Sequence, residues 1–449
     1  MDWPTLLSDQ RLGKDKNTQT GKVRSEWQRD YDRIIFSSAF RRLQDKTQVF
    51  PLSESDFTRT RLTHSLESAS VGRSIGIEVG QYLVDQYDLD ISAFDIGSIV
   101  SSACLAHDIG NPPFGHSGEE AIQDWFKNDG SKFITDLTDK EKLDFEMFEG
   151  NAQGFRVLAS RKPQQNGGMQ ITYSTLGAFT KYPRESFNKE ANKSISGISS
   201  KKHGFFQSDK EIFCDVASKL GLKPKSPDSI WFRHPLAFLV EAADDICYRI
   251  VDLEDGFLLK RVSFEQVKEK LLNICGSEVT SQELGEKNLN NIEMVEYLRA
   301  ISLNYLIQKT AQCFNKNEKE ILDGKFDKPL IEEIDESTVL KELEEFNREH
   351  IYKSKDVVSI EMSGFEVISQ LLKLFVPAAL DLIEKGDKAS PKSKKVAEFV
   401  YGKKIDFDKY KGKNKYQTLL VVTDHVSGMT DSFAVATYKN ITGMSLQNR

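Results

Sequence analysis

LAHDIGNPPFGHSGEE, residues 105–120, marks the end of one predicted helix and the start of the next. An apolar helical pattern runs into His107 and Asp108, and Gly110 followed by two prolines stops it immediately. A second helical pattern begins near His116. The segment therefore predicts two helices joined by a tight turn, with a His–Asp pair at the junction.

The rest of the chain has the same helical periodicity. Apolar residues recur every three or four positions through 66–83 and again through 94–105. Strand alternation is scarce, and the best candidate is the short piece 204–207 beside a glycine. We therefore predict a mainly α fold with at most a small β hairpin. Long, charge-rich helices are predicted over 294–323, 336–349 and 359–385.

The predicted organisation has three parts. Residues 1–28 form an N-terminal arm, 29–280 form the core, and 281–449 form a helical region that completes the fold and supplies oligomer contacts. Segments near 161–169 and 184–204 are rich in Gly, Ser, Asn, Gln and Lys, which is typical of surface loops or mobile flaps.

Composition excludes several classes of protein. The formal net charge of -7 argues against a general binder of nucleic acid or anionic membranes. Neither a secretory leader nor an apolar run long enough to span a bilayer is recognisable, so we expect a cytoplasmic protein. The five scattered cysteines contain no CxxC pair, which argues against a disulfide framework or a thiolate zinc site. The usual phosphate-binding glycine motifs are also absent from the sequence.

Three of the seven histidines fall within a short stretch and suggest a metal site. His107 and Asp108 end one helix, and His64 lies early in another. Both side chains of the His–Asp pair can reach one cation if a crossing helix supplies a further ligand. Asp244 or Asp245 is the best supplier, because the opposite face of that helix is apolar. Mixed nitrogen and oxygen ligands favour Mn, Mg, Fe, Co or Ni over a closed structural zinc.

His116 and Glu119 stand three positions apart at the start of the next helix, where their side chains share one face. One interpretation is a general acid whose pKa is raised by the carboxylate. The alternative is a helix start in which Ser117 caps and Glu119 and Glu120 complement the dipole.

The sequence resembles the HD-domain metal phosphohydrolases and, among them, the deoxynucleoside triphosphate triphosphohydrolases typified by bacterial dGTPases. The resemblance is carried by HSLE (64–67), HDIGNPPFGHSGEE (107–120) and EAADDICYRIVDLED (241–255). It extends, in the order of the family, to stretches at 29–52, 58–67, 148–156, 175–183, 233–248 and 424–434.

The resemblance implies a role for each matching residue. His64, His107, Asp108 and Asp244 resemble the four metal ligands, and His116 with Glu119 the catalytic pair. Asp244 is preferred to Asp245 because only Asp244, Tyr248 and Asp252 have the family's spacing, in which the Tyr and the second Asp face the sugar. The remaining substrate contacts implied are Gln48 at the 3'-hydroxyl, Arg61 at the α-phosphate, Asn151 in the pocket, and Lys181 and Tyr182 at phosphate and sugar.

The implied activity is metal-dependent hydrolysis of 2'-deoxynucleoside triphosphates, with dGTP the leading candidate, to deoxynucleoside and inorganic triphosphate. The implied partners are a dNTP, further copies of the chain in an oligomer such as a hexamer, and an effector nucleotide or single-stranded DNA. The alternatives are another HD phosphohydrolase (a monophosphate nucleotidase or an alarmone hydrolase), a nucleotide or single-stranded nucleic-acid binding protein, and a helical scaffold with a structural metal.

Several residues keep a structural alternative. Tyr248 is either a sugar contact or an ordinary residue at the edge of the core. Arg41 and Arg42 either contact phosphate or pair with Asp30, Asp32 or Asp45. Asp424 and Asp431 are expected to hold loops or subunit contacts. The Lys-rich stretch 403–415 is either a solvated face or a site for nucleic acid or an effector nucleotide.

Overall fold

The computed structural model describes residues 1–14, 24–48, 59–159, 169–187, 197–226, 230–276, 278–279, 284, 287–353, 355–401 and 414–444. Three predicted features fall wholly or partly outside these residues. They are 161–168 of the first predicted loop, 188–196 of the second, and 403–413 of the Lys-rich stretch.

The described part of the chain is mainly α, as predicted. The helices of its first half are α1 (Trp3–Leu6), α2 (Glu26–Ile35), α3 (Ser38–Arg42), α4 (Arg61–Tyr87), α5 (Ala93–Ala106), α6 (Gly115–Lys127), α7 (Asp139–Glu146), α8 (Gly150–Ala159), α9 (Tyr173–Phe179) and α10 (Lys210–Lys219). Those of its second half are α11 (Pro235–Leu258), α12 (Phe264–Cys275), α13 (Asn291–Asp323), α14 (Ser337–Asn347), α15 (Lys355–Lys385), α16 (Pro391–Tyr401), α17 (Lys415–Ser427) and α18 (Asp431–Thr442).

The small hairpin exists, but the predicted position was wrong. Its antiparallel strands are β1 (Pro224–Ser226) and β2 (Ile230–Trp231). In the predicted piece, Phe205 makes one isolated bridge to Glu185, and a 3-10 turn follows at once. Phe205 and Phe206 are both fully buried, so the pair packs to both sides and lacks the alternation of a half-buried strand.

Glycines allow α4 and α5 to cross closely, which fixes the two histidine-bearing helices against each other. A side chain at Gly76 would lie 2.9 Å from the backbone of Gly97, and one at Gly80 would lie 2.9 Å from the carbonyl oxygen of Ala93. Gly110 plays the same part after α5, because a β-carbon there would lie 2.1 Å from the backbone nitrogen of Gly154 in α8. The turn after His107 is therefore held against a neighbouring helix.

Buried side chains form two large clusters. The first lies around α4, α5, α9 and α11 and includes α13, and the second joins α6 and α7 to α15 and α17. Residues after 281 thus contribute to both clusters, while the boundary at 280 stays a prediction. None of the described helices is long and apolar enough to cross a membrane.

Most described residues at the ends of the second predicted loop are buried or half-buried, while the centre of that loop lies outside the described residues. Arg184 and Ser199 are 2% and 0% exposed. Asp327 accepts hydrogen bonds from the backbone N–H and hydroxyl of Ser199 and from Lys225. Polar residues at these ends are satisfied by a distant carboxylate, so their polarity did not mean exposure.

Candidate active site

The four predicted metal ligands meet at one buried point. His64 lies in the first turn of α4, His107 and Asp108 follow the last residue of α5, and Asp244 lies in the middle of α11. Ligand atoms of His64, His107 and Asp108 lie within 4.8 Å of one another. Asp244 Oδ1 lies 3.1 Å from His64 Nε2 and 3.3 Å from His107 Nε2. Three helices therefore bring two imidazoles and two carboxylates to one place.

The histidine orientation suits a divalent cation. His107 Nδ1 lies 2.7 Å from the carbonyl oxygen of Cys104, which fixes Nδ1 as the donor and turns Nε2 toward the carboxylates. Burial acts to lower the pKa of His107, but the charges of Asp108 and Asp244 outweigh it and raise the pKa. A cation would balance the same two carboxylates, and two nitrogen with two oxygen donors fit Mn, Mg, Fe, Co or Ni.

The two carboxylates stay ionised because basic side chains face them. Burial acts to raise the pKa of both, but Arg61 beside Asp108 and Lys181 beside Asp244 reverse the effect and hold each pKa well below its usual range. Arg61 Nη1 lies 2.7 Å from Asp108 Oδ2, and Lys181 Nζ lies 2.6 Å from Asp244 Oδ2. Asp244 thus keeps Oδ1 toward the histidines while Oδ2 accepts from lysine.

Asp245, the alternative ligand, has a different environment. Its carboxylate lies 3.4 Å from Arg249 Nη1, one turn along α11. Burial raises the pKa of Asp245 to about 7, because Arg249 offsets only part of the desolvation. The geometry turns Asp244, and not its neighbour, toward the two histidines.

A cleft of about 350 Å³ opens beside the cluster. It is lined by Thr47, Gln48, Arg61, Phe114, Gly115, His116, Ser117, Tyr248, Tyr352, Ile360 and Glu361. Arg61 belongs to both places, because it contacts Asp108 and also lines the cleft. Oε1 of Gln48 is buried without a hydrogen-bond partner in the described part of the chain, so it is available to a donor from a ligand.

One wall of the cleft is a pair of stacked tyrosines. The rings of Tyr248 and Tyr352 lie 5.3 Å apart at 19°, and the Tyr352 hydroxyl donates to Asp252 at 2.7 Å. Burial raises the pKa of Asp252 to about 8, since the tyrosine hydrogen bond offsets only part of the desolvation. Tyr248 therefore borders the cleft. Asp252 does not line it, but it fixes the neighbouring Tyr352 by accepting a hydrogen bond from its hydroxyl.

His116 and Glu119 are close in sequence but are held differently from the prediction. The helix begins at Gly115 after Phe114, which has a left-handed φ of 64° and no capping side chain, so Ser117 is not the cap. Glu119 accepts from the backbone N–H of Gly150 at 2.7 Å. Burial, followed by Lys202 and Arg61, lowers the pKa of His116, so the predicted rise is wrong.

Two charged residues near His116 had no signal in the sequence. Glu149 accepts from Lys202 Nζ at 2.9 Å and from Asn151 Nδ2 at 2.8 Å. Glu119 is fully buried near this carboxylate, and burial followed by the charge of Glu149 raises the pKa of Glu119 to about 8. The cluster is assembled from separate segments, which spacing along the chain does not reveal.

The weaker substrate predictions are only partly gathered at the cleft. Among the described residues, Asn151 and Tyr182 lie outside the lining. Asn151 donates to Glu149, and Tyr182 packs with its ring 5.4 Å from the guanidinium of Arg233. Lys181 Nζ donates to Asp244, one of the four predicted metal ligands. Sequence reasoning missed Tyr352 and Glu361, because both come from the C-terminal part more than 200 residues after His116.

The three aspartates considered as partners of Arg41 and Arg42 have other donors. Asp30, Asp32 and Asp45 accept from Arg11, Arg24 and Ser432, so the described contacts do not favour the ion-pair alternative for Arg41 and Arg42. Asp424 and Asp431 were expected to hold loops or subunit contacts; Asp431 does hold two loop residues, whereas Asp424 holds side chains of α8. Asp424 accepts from Gln153 and Arg156, and Asp431 accepts from Thr47 and Phe114.

Comparison with known proteins gives a consistent family. Residues 61–162 match the model of the HD domain. A deoxyguanosinetriphosphate triphosphohydrolase-like protein of Synechocystis is 44% identical over 99% of this chain and 100% of its own length. A protein of the same description from Pseudomonas aeruginosa is 40% identical over 99% of both chains. A deoxyguanosinetriphosphate triphosphohydrolase of Salmonella arizonae is 33% identical over 92% of both.

Proposed function

The chain belongs to the HD-domain family of deoxyguanosinetriphosphate triphosphohydrolase-like proteins, and we propose that it hydrolyses 2'-deoxynucleoside triphosphates to deoxynucleoside and inorganic triphosphate. Membership makes it a phosphohydrolase that acts on nucleoside triphosphates with a divalent metal ion. The observation that carries the finer proposal is the shared position of Arg61, between the ligand cluster and the cleft.

The ligand cluster is proposed to hold a divalent cation through His64, His107, Asp108 and Asp244. A cation there supplies Lewis-acid charge for the phosphate and lowers the pKa of a water molecule. Arg61 would hold the α-phosphate near Asp108, with Lys181 adding positive charge at Asp244. Two positive side chains next to the cluster explain how a chain of net charge -7 concentrates a polyphosphate in one place.

In the proposed reaction, the oxygen of water bonds to the α-phosphorus and the bond from that phosphorus to the 5'-oxygen breaks. His116 donates a proton to the leaving 5'-oxygen. Lys202 and Arg61 act with burial to lower the pKa of His116. A bound triphosphate compensates those positive charges, so substrate binding itself favours the protonated histidine. Glu119, three positions along α6, is the proposed partner of His116, and Glu149 adds negative charge near the histidine.

The cleft wall supports selection for a 2'-deoxy sugar. Tyr248 stacks on Tyr352, whose hydroxyl is fixed on Asp252, so this wall has little freedom to move aside. Gln48 lines the same cleft and would offer its unsatisfied acceptor to the 3'-hydroxyl. A rigid polar wall rejects an additional hydroxyl better than an open apolar pocket does.

The preference for dGTP is proposed from Glu361. Glu361 lines the same cleft as the two tyrosines, and its carboxylate offers two acceptor oxygens. Guanine presents two adjacent donors, N1–H and the 2-amino group, whereas adenine and the pyrimidines do not. A carboxylate at that position therefore favours guanine.

Assembly and location belong to the same proposal. We infer a homo-oligomer, such as a hexamer, with an effector nucleotide or single-stranded DNA as candidate regulators. The apolar side chains of Ile292, Met362 and Phe433 are at least half exposed, which supports interfaces formed by the helices after 290. Light scattering after gel filtration measures the stoichiometry. Free cysteines support a reducing, cytoplasmic location.

The test is product analysis. The purified protein is incubated with each of the four dNTPs and with GTP, in Mn or Mg, and the products are resolved by ion-exchange chromatography. Deoxynucleoside plus triphosphate is the expected result, with dGTP fastest. Orthophosphate or pyrophosphate would assign the chain to a nucleotidase or another HD hydrolase. No turnover, even with mixed dNTPs as activators, would favour a nucleotide-binding or nucleic-acid-binding role.

A further inference from the structure

One carboxylate of the C-terminal region holds two separate segments that line the cleft. Asp431, the first residue of α18, accepts three hydrogen bonds. Its Oδ2 accepts from the backbone N–H of Thr47 at 3.0 Å and from the Thr47 hydroxyl at 2.6 Å. Its Oδ1 accepts from the backbone N–H of Phe114 at 2.9 Å. Asp431 is 1% exposed, so these bonds are protected from water.

Both partners of Asp431 line the cleft and are next to further residues that line it. Thr47 precedes Gln48, and Phe114 lies two residues before His116. Phe114 is also the residue before α6, with a left-handed φ of 64°, a conformation that costs free energy for a side chain other than glycine. The hydrogen bond from its backbone N–H to Asp431 stabilises that conformation, and the conformation sets the direction in which α6 presents His116.

A second tie joins the same two regions. Lys46 is buried and donates to the carbonyl oxygens of Asn111 and Ser427, and Ser427 ends α17. Asn111 in turn donates to Asp108 Oδ1 at 2.6 Å. The C-terminal helices thus hold the turn between the metal ligands and α6 at both ends, through Ser427 at one end and Asp431 at the other.

The ring of Phe114 is tightly packed, so the hydrogen bond from its backbone N–H to Asp431 is the contact that a substitution can remove. A β-carbon at Gly364 of α15 would lie 2.9 Å from the Phe114 ring, so the ring is already pressed against that helix. The Phe114 side chain therefore has no room to move toward α15, and its backbone N–H is held by a charged acceptor. Charged hydrogen bonds of this kind are stronger and more directional than neutral ones.

We propose that Asp431 is a positioning residue, which sets His116 and Gln48 together by holding Phe114 and Thr47 with one carboxylate. The effect on turnover rests on the proposed function, whereas the effect on the two backbone amides does not. A catalytic group that moves by about 1 Å loses roughly 10²-fold in rate. We therefore expect Asp431→Asn to lower kcat by about 10- to 100-fold, because an amide replaces one acceptor oxygen with a donor.

The matched control is Asp424→Asn. Asp424 is also a carboxylate of the C-terminal helices with buried partners, but it holds Gln153 and Arg156, away from the cleft. Its loss is expected to leave kcat within about threefold of the wild type, since no cleft residue depends on it. A third variant, Thr47→Val, removes only the hydroxyl bond on the Gln48 side. It is expected to raise KM by a few-fold while kcat changes less.

The experiment combines kinetics with hydrogen exchange. Hydrogen–deuterium exchange should accelerate in peptides that contain Thr47 and Phe114 in Asp431→Asn but not in Asp424→Asn, while calorimetric Mn affinity stays that of the wild type. Equal losses of kcat in both aspartate variants, or unchanged exchange at Thr47 and Phe114 in Asp431→Asn, would overturn the proposal.

The proposal can still be tested if one variant does not fold or if the wild type is inactive. If Asp431→Asn does not fold, Thr47→Val decides through exchange at residues 43–48 and through its KM, and an unchanged value of both overturns the proposal. If the wild type turns over no dNTP, the proposed function fails, and the exchange comparison alone supports or overturns the positioning role.

Discussion

The cluster of proposed metal ligands and the tyrosine wall of the cleft are built in different ways. The cluster comes from α4, α5 and α11, and its carboxylates are held by nearby cations such as Arg61 and Lys181. Tyr352 and Glu361, which line the cleft, and Asp431, which holds the turn before His116, come from the C-terminal part. Under the proposed function the chemistry would be carried by the core, whereas residues from far along the chain shape the cleft.

The largest expected effect is on the core side of this comparison. Asp244→Asn keeps the size of the side chain but removes its charge, which weakens cation binding and leaves Lys181 without its partner. We expect kcat/KM for dGTP to fall by roughly 10³-fold or more, since the cation stabilises the transition state by several kcal/mol. Triphosphate release and calorimetric Mn binding measure the loss.

The neighbouring residue provides the control for that assignment. Asp245→Asn is expected to change kcat/KM by less than about fivefold, because its carboxylate faces Arg249 and not the histidines. Circular dichroism verifies that both variants are folded. Equal losses in the two variants would show that the ligand has been assigned to the wrong aspartate.

The next prediction distinguishes the role of His116 in proton transfer from the role of the cation. His116→Gln is expected to lower kcat by about 10²- to 10³-fold, which is the usual contribution of a general acid. Mn affinity should remain that of the wild type, because His116 lies in α6, outside the ligand cluster. Single-turnover kinetics and calorimetry check the two parts. A loss of Mn binding along with kcat would mean that His116 belongs to the metal centre.

A smaller effect tests the C-terminal wall. Glu361→Gln should reduce the preference for dGTP over dATP by about 10-fold, because an amide offers one acceptor where the carboxylate offers two. Competition between the two nucleotides in one reaction measures the ratio. Glu366→Gln, an exposed change further along α15, serves as the control. An unchanged ratio in Glu361→Gln would remove this residue from base selection.

The smallest effect concerns stability, and it again contrasts the two regions. Asp108 and Asp244 have lowered pKa values, whereas burial raises the pKa of Asp144 to about 7 although Ser186 and Tyr416 donate to it. The Tyr416 hydroxyl belongs to α17, so Asp144 joins the C-terminal region to α7. The folded protein therefore keeps a proton on Asp144 that the unfolded chain, with a pKa of about 3.9, releases.

The sign of the pH dependence follows from that difference. The stabilising contribution of protonated Asp144 is fully present below about pH 4 and is lost as the pH rises through about 7. Relative to Asp144→Asn, the wild type should lose up to about 1.4 kcal/mol of unfolding free energy per pH unit in that interval. Urea unfolding at pH 5, 6 and 7 measures the difference. A difference independent of pH would contradict the assignment of the proton.

The same contrast decides what the sequence could predict. The helices and the gathering of His64, His107, Asp108 and Asp244 follow from periodicity, from the stop at Gly110, and from the resemblance at the motifs. The predicted position of the hairpin was wrong. Phe205 and Phe206 are residue types common in strands, but both are buried, so they lack the alternation of a half-buried strand. Tyr352 and Glu361 had no local signal, and the lowered pKa of His116 depends on Lys202 from another segment. Long-range contacts of this kind cannot be deduced from spacing in one sequence.

The most direct test of the account follows the oxygen of water. A single turnover of dGTP by the wild-type protein in ¹⁸O-labelled water, with products analysed by mass spectrometry, reports which bond breaks. The account predicts one ¹⁸O atom in the triphosphate and none in the deoxyguanosine, because water bonds to the α-phosphorus and the 5'-oxygen leaves. Label in the deoxyguanosine, or in released orthophosphate or pyrophosphate, would contradict it.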